Sequence, residues 1–293
     1  MKLIKKLAAA TAVSFAMMGA AQAETVLNNW VVNPAGTGFA SGQKVNEYLD
    51  INGNALIQIA PTSGTTFSFN EHGVFNSVQA DSNGKLFPLN PNFGGKNLTA
   101  VFNAVGSGTF NGGFSFTGGS ISIYSNTYGA YGNADGTGAG TSVYGANLGT
   151  LIATFDIMAG GGGNVDATGS PIKNGQVTVL AKATAPNGLA QGYFFNSAGQ
   201  DLSSKDLLSF AFTNANTVGE PEAALVSEVG CQYAGYAAAC AAGFKNSSSA
   251  FFVSNNGQFK LAEVPEPGSL ALFGIAMLGA GVVSRKRAAK KAA

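Results

Sequence analysis

The side chains able to do chemistry are few and far apart. His72 is the single histidine, so a Ser-His-Asp relay would have to run through it, and no Gly-x-Ser-x-Gly elbow is present to offer the serine. Zinc would need Cys or carboxylate partners close to His72 in spacing, and none cluster there. Within Phe69-Asn70-Glu71-His72-Gly73 the histidine reads as a turn residue. Asp50-Ile51-Asn52-Gly53-Asn54 begins like a calcium loop. An EF-hand requires Gly at its sixth place and a bidentate Glu at its twelfth, where this chain has Ala55 and Pro61. A turn between strands is the better reading, and Asn133-Ala134-Asp135 has the same status. Gly136-x-Gly138 lies in low-complexity sequence and is a weak nucleotide signal. Two carboxylates alone could make a glycosidase, but the acids are few and form no cleft motif. The expectation is a non-enzyme without a cofactor or metal. Tyr124, Tyr128, Tyr131 and Tyr144 offer rings that could stack on sugars. Cys231 and Cys240 are the only cysteines. An even count in an exported chain favours a disulfide, with two free thiols or half a metal site as the alternative.

Charge is segregated along the chain. Lys2, Lys5 and Lys6 stand at one end, and Arg285, Lys286, Arg287, Lys290 and Lys291 at the other. Between Glu24 and Ser284, eight lysines and no arginine face all fifteen acids, leaving a net −7. Nucleic-acid binding needs clustered cations to neutralise phosphate, so this body is a poor candidate for it. The basic ends read instead as topology signals.

Residues 1–23 have a basic start, an apolar run from Leu7 to about Ala20, and then Ala21-Gln22-Ala23. Small residues at Ala21 and Ala23 fit a signal-peptidase site, with cleavage expected before Glu24 after passage through the Sec translocon. At the other end, Val264-Pro265-Glu266-Pro267 forces an extended backbone, the form a protease binds. Gly268–Ser284 follows with 17 uncharged residues, a helix of roughly 25 Å at the short edge of a bilayer span. Arg285, Lys286 and Arg287 should remain cytoplasmic, which leaves the body outside and the helix as a transient membrane insertion.

The Pro265-Glu266-Pro267 triplet, the short Gly-containing apolar segment and the terminal basic cluster together resemble the PEP-CTERM sorting signal. That resemblance implies recognition and processing by an exosortase. Trp30-Val31-Val32-Asn33-Pro34, Val45–Ile51 and Phe69–Gly73 look like flocculation-associated PEP-CTERM proteins. This second resemblance implies a surface or matrix protein that helps cells aggregate with exopolysaccharide; a secreted carbohydrate-binding module is the alternative.

The residues so singled out must be positioned by β-structure. Apolar residues alternate with small polar ones in Leu56–Ile59, Thr65–Phe69, Leu98–Val105, Phe114–Phe116, Ser120–Tyr124, Leu151–Ile157, Gln176–Ala183, Gly192–Phe195, Ser209–Phe212, Phe251–Val253 and Phe259–Val264. Period-2 alternation marks half-buried strands. Short helices are expected at Lys205–Leu208, capped by Ser203 or Ser204, and at Glu222–Val229, opened by Pro221. Gly129–Gly140 and Gly160–Gly163 read as loops. The expected architecture is all-β: an antiparallel sandwich or jelly-roll-like single domain over 24–263, between a signal peptide at 1–23 and a sorting segment with its transmembrane helix at 264–293.

Overall fold

The computed structural model describes residues 25–82, 85–88, 95–127, 129–132, 143–173, 175–184 and 188–264. Its strands are β1 (Thr25–Val26), β2 (Trp30–Val32), β3 (Gln43–Val45), β4 (Tyr48–Pro61), β5 (Thr66–Ser82), β6 (Lys85–Pro88) and β7 (Lys96–Thr109). They continue with β8 (Gly113–Thr127), β9 (Thr150–Ile157), β10 (Gly160–Asn164), β11 (Gln176–Ala183), β12 (Phe194–Phe195), β13 (Leu207–Thr217) and β14 (Ala250–Glu263).

The body is a barrel, not the expected sandwich or jelly roll. Chain order is spatial order: β4, β5, β7, β8, then β9 with β10, then β11, β13 and β14, each antiparallel to the next. β9 and β10 share one of the eight positions, both lying between β8 and β11. The last strand then pairs with the first, from Ala250↔Gln58 to Lys260↔Tyr48. Closure pairs β4 with β14, so among the described residues neither keeps along that pairing the open row of N–H and C=O groups that an edge strand of a sandwich presents. Alternation along one strand looks the same in either architecture; only the β14–β4 pairing tells them apart.

The strands are also longer than their patterns suggested. β4 has 14 residues and β5 has 17, against about 5–6 for a common strand. Hence Asp50–Asn54 and Phe69–Gly73 are not turns: they lie mid-strand, with Asn52 opposite Asn76 and Leu56 opposite His72. Polar residues at outward positions, broken by Gly53 and Gly73, imitated turn signals. Gly160–Gly163 is likewise strand, with Gly163 opposite Phe114. The expected helix at Lys205–Leu208 is absent, because Leu207 and Leu208 are buried at the start of β13. The helix expected at Glu222–Val229 is present as α1 (Ala223–Leu225), which continues as a π-helix over Val226–Tyr233.

Glycines within the strands have a packing role. Phe67 faces Gly108, Phe69 faces Gly106, and Phe75 faces Gly53 across the strand pairs. A Cβ at Gly108 would sit 2.5 Å from the Phe67 ring, and one at Gly106 2.4 Å from the Phe69 ring. Each inward ring therefore lies over a neighbouring strand where no side chain intervenes, the cross-strand device that rescues glycine in sheets. Phe69, Phe102, Phe114 and Phe116 meet edge to face, with centroids 5.5–6.0 Å apart, a favoured geometry for ring quadrupoles. The small sheet β12–β2–β3 adds Trp30, Val32, Val45 and Phe194 to this same core.

Candidate functional site: an amide-lined outer face

One part of the barrel's outer surface is covered. Leu56, Val74, Val101 and Phe252 pack under Leu225, Val226 and Val229. Cys231 and Cys240 are bonded to each other, with Cα atoms 4.7 Å apart, and tie the π-helix to the turn at Ala237–Cys240. Glu228 is 1 % exposed and accepts the Tyr144 backbone N–H at 2.7 Å. The Tyr144 hydroxyl donates to Glu222. Tyr131 and Tyr144 meet edge to face at 5.5 Å, and burial pushes the Tyr131 hydroxyl up to about 12. Tyr131 and Tyr144 are therefore packed against neighbours and are not open rings for sugars to stack on. Tyr144 is 8 % exposed, Tyr124 is half-buried against the same cluster, and Tyr128 lies outside the described residues. His72 sits under this cover, 5.1 Å from the Tyr233 ring and edge-on to it. Its Nδ1 is buried without a partner among the described residues, and burial holds its pKa low.

The other part is open and polar. Outward positions on four adjacent strands carry amides: Gln176 opposite Asn214 on β11 and β13, and Asn256 opposite Asn52 on β14 and β4. All four are exposed, and Asn256 Nδ2 donates to Asn52 Oδ1 at 2.6 Å. Gln258 and Asp50 form the next pair in the register. Together with Thr178 they border a surface hollow of about 420 Å³. Phe212 is its aromatic border, 44 % exposed. Lys260 Nζ lies 5.6 Å from the Tyr48 ring centre and 5.8 Å from that of Phe212, a cation–π arrangement that holds the rings in place, and it also pairs with Glu47. Burial first, then the Asp81 carboxylate, push the Asp50 carboxyl up.

A strand spaces same-face residues about 7 Å apart. Asp50, Asn52 and Asn54 therefore run in a row instead of converging on an ion, and among the described residues no group of three His, Cys, Asp or Glu side chains is placed to hold a metal. The face offers something else. Amides present donors and acceptors together, and an exposed ring presents an apolar plate. That pair of features matches a polyhydroxylated chain. Asn214 and Asn256 fall outside the strands that local alternation marks, because asparagine is depleted in strands and reads as a break; only the full lengths of β13 and β14 place them at outward positions beside Gln176.

Residues 263–287 match the family described as the PEP-CTERM protein-sorting motif. The class this defines is the exported cell-surface protein processed by an exosortase. The chain carries that motif over the segment holding Pro265, Glu266 and Pro267 and Arg285, Lys286 and Arg287, all of which lie outside the described residues. No curated protein and no solved structure matches the chain. Ala21, Ala23 and Glu24 at the expected signal cleavage site also lie outside the described residues, as does the apolar segment 268–284. Among the described residues no helix is long and apolar enough to cross a membrane.

Proposed function

We propose that this chain is a non-enzymatic structural protein of the extracellular matrix, which promotes cell aggregation by holding exopolysaccharide on its amide face. The observation that carries this reading is the row Gln176, Asn214, Asn256 and Asn52 across four strands beside the exposed Phe212. Sugar hydroxyls and amides exchange hydrogen bonds in both directions, and the ring covers the C–H face of a sugar. Single contacts of this kind are weak. A polymer gains avidity by meeting many copies at once, which suits a protein displayed on a cell surface. The body's net −7 disfavours a polyanion, so the fitting partner is a neutral or amino-substituted polysaccharide.

The test compares cells lacking the protein, complemented with the full chain or with Asn52→Ala/Phe212→Ala/Asn214→Ala/Asn256→Ala. Wild type should restore floc settling, and the fourfold variant should reach the surface at the same level without restoring it. Equal settling by the two would end the reading. The same face supports a second reading, a secreted carbohydrate-binding module, in which binding to one defined glycan is the whole function. A glycan array on the purified chain separates the two, a single sharp specificity favouring the module.

A further inference from the structure

The barrel interior carries an acid for which the outer face has no use. Along β5, strict alternation sends Phe67, Phe69, Glu71 and Phe75 inward, and Glu71 stands opposite Ile57 of β4 and Ala104 of β7. It is 9 % exposed. No described residue hydrogen-bonds to its carboxyl or pairs with it, and burial alone holds its pKa up at about 7. Glu71 lines a cavity of about 90 Å³ among the inward side chains of the barrel, walled mostly by Phe, Ile, Leu and Val. That is several times the 10–15 Å³ or so that one water needs. Asn255 of β14 lines the same cavity, is 7 % exposed, and its Nδ2 has no partner among the described residues.

Two buried polar groups without partners are costly in an apolar core. A leucine at position 71 would relieve the cost and extend the Phe-rich wall. Eight strands enclose a space that side chains fill or one small ligand occupies. An apolar cavity with a few polar groups turned into it is the usual form of a ligand site. We propose that the barrel interior binds a small, largely hydrocarbon molecule whose head, an amine or a hydroxyl, donates a hydrogen bond to the Glu71 carboxyl. The walls supply affinity through burial, and the carboxyl selects the head, since a charge-assisted hydrogen bond is stronger than a neutral one. A carboxylate head would set like charges together and is rejected. Asn255 Nδ2 is left to serve an acceptor on the ligand or a water trapped with it. This inference does not depend on the polysaccharide reading, which concerns the opposite side of the strands.

The experiment titrates the full chain with benzylamine, benzyl alcohol and benzoate, which share a ring and differ in the head, by calorimetry and thermal melting. The amine and the alcohol should bind and raise Tm, and benzoate should do neither. In Glu71→Gln the benzylamine affinity should fall by about tenfold or more, while the ligand-free protein melts no lower than wild type. Failure of both donor-headed compounds to bind overturns the proposal. So does benzoate binding as well as benzylamine, or unchanged benzylamine affinity in Glu71→Gln. Should that variant not fold, wild type alone decides. Its benzylamine affinity must rise between about pH 5 and about pH 8 as the carboxyl ionises, and a flat profile overturns the assignment.

Discussion

A buried carboxyl without a partner among the described residues ties the stability of the fold to pH. Glu71 has its ordinary 4.5 in the unfolded chain and about 7 in the barrel. The folded state therefore holds the proton over a range where the unfolded state has released it. Stability falls as pH rises wherever the native state binds more protons. Glu71 thus weighs least below pH 4.5, and its favourable share is lost as pH climbs through about 7. At ~1.36 kcal/mol per pH interval, the whole loss is roughly 3 kcal/mol. Urea unfolding of the ligand-free protein between about pH 4 and about pH 8 should show this decline in wild type relative to Glu71→Gln. Parallel curves for the two would mean that the carboxyl is solvated or paired. The parity that turns Glu71 inward is visible in the sequence, because Phe67, Phe69 and Phe75 share it. A single acid among polar neighbours hid it: Asn70 and His72 on the outward parity made the stretch look like a turn.

At the scale of strands and helices, two devices hold the elements in place. The first is the facing of rings and glycines. In Gly108→Ala the new methyl meets the Phe67 ring and Phe114 Cβ, and overpacking of this kind costs about 1–3 kcal/mol. Phe67→Leu in the same chain should return part of that loss, so a double-mutant cycle should give a favourable coupling; strict additivity would show that the ring does not occupy the glycine's space. The second is the Cys231–Cys240 bridge, which closes a short loop at the end of the π-helix. Cys231→Ser/Cys240→Ser should destabilise by roughly 2–3 kcal/mol, and hydrogen exchange should rise over 223–240 before it rises in β4 or β14. Uniform acceleration across the barrel would place the effect elsewhere. Much at this scale was legible: Gln176–Ala183 is strand β11 as its alternation foretold, and Pro221 marks the approach to α1. What was not legible depends on distant partners. Closure joins β14 to β4, some two hundred residues apart, and no local pattern carries that. Tyr144 is buried, and Tyr124 and Tyr131 half-buried, in a cluster with a helix that arrives from 223–233, so their own neighbours in sequence could not tell that they are covered.

For the whole molecule, function begins with the tail. The matched segment, residues 263–287, begins at Glu263, the last residue of β14. β14 is the strand that closes the barrel, so a processing step on the body side of Val264 would threaten the closure, whereas one within or beyond Pro265-Glu266-Pro267 would spare it. Proline rings lack the amide donors that a further strand would need, so Pro265 and Pro267 are poor residues with which to extend β14 past Glu263. Replacing Pro265, Glu266 and Pro267 by alanine should leave the barrel's melting unchanged and block sorting. Fractionation and immunoblotting should then find an unprocessed, membrane-associated form in place of the surface form, and floc settling should drop with it. If the triple variant is processed and displayed like wild type, the triplet is not what the exosortase reads. If instead it is unprocessed and settling persists, the body needs no release to hold polysaccharide, and the matrix role belongs to a membrane-tethered protein.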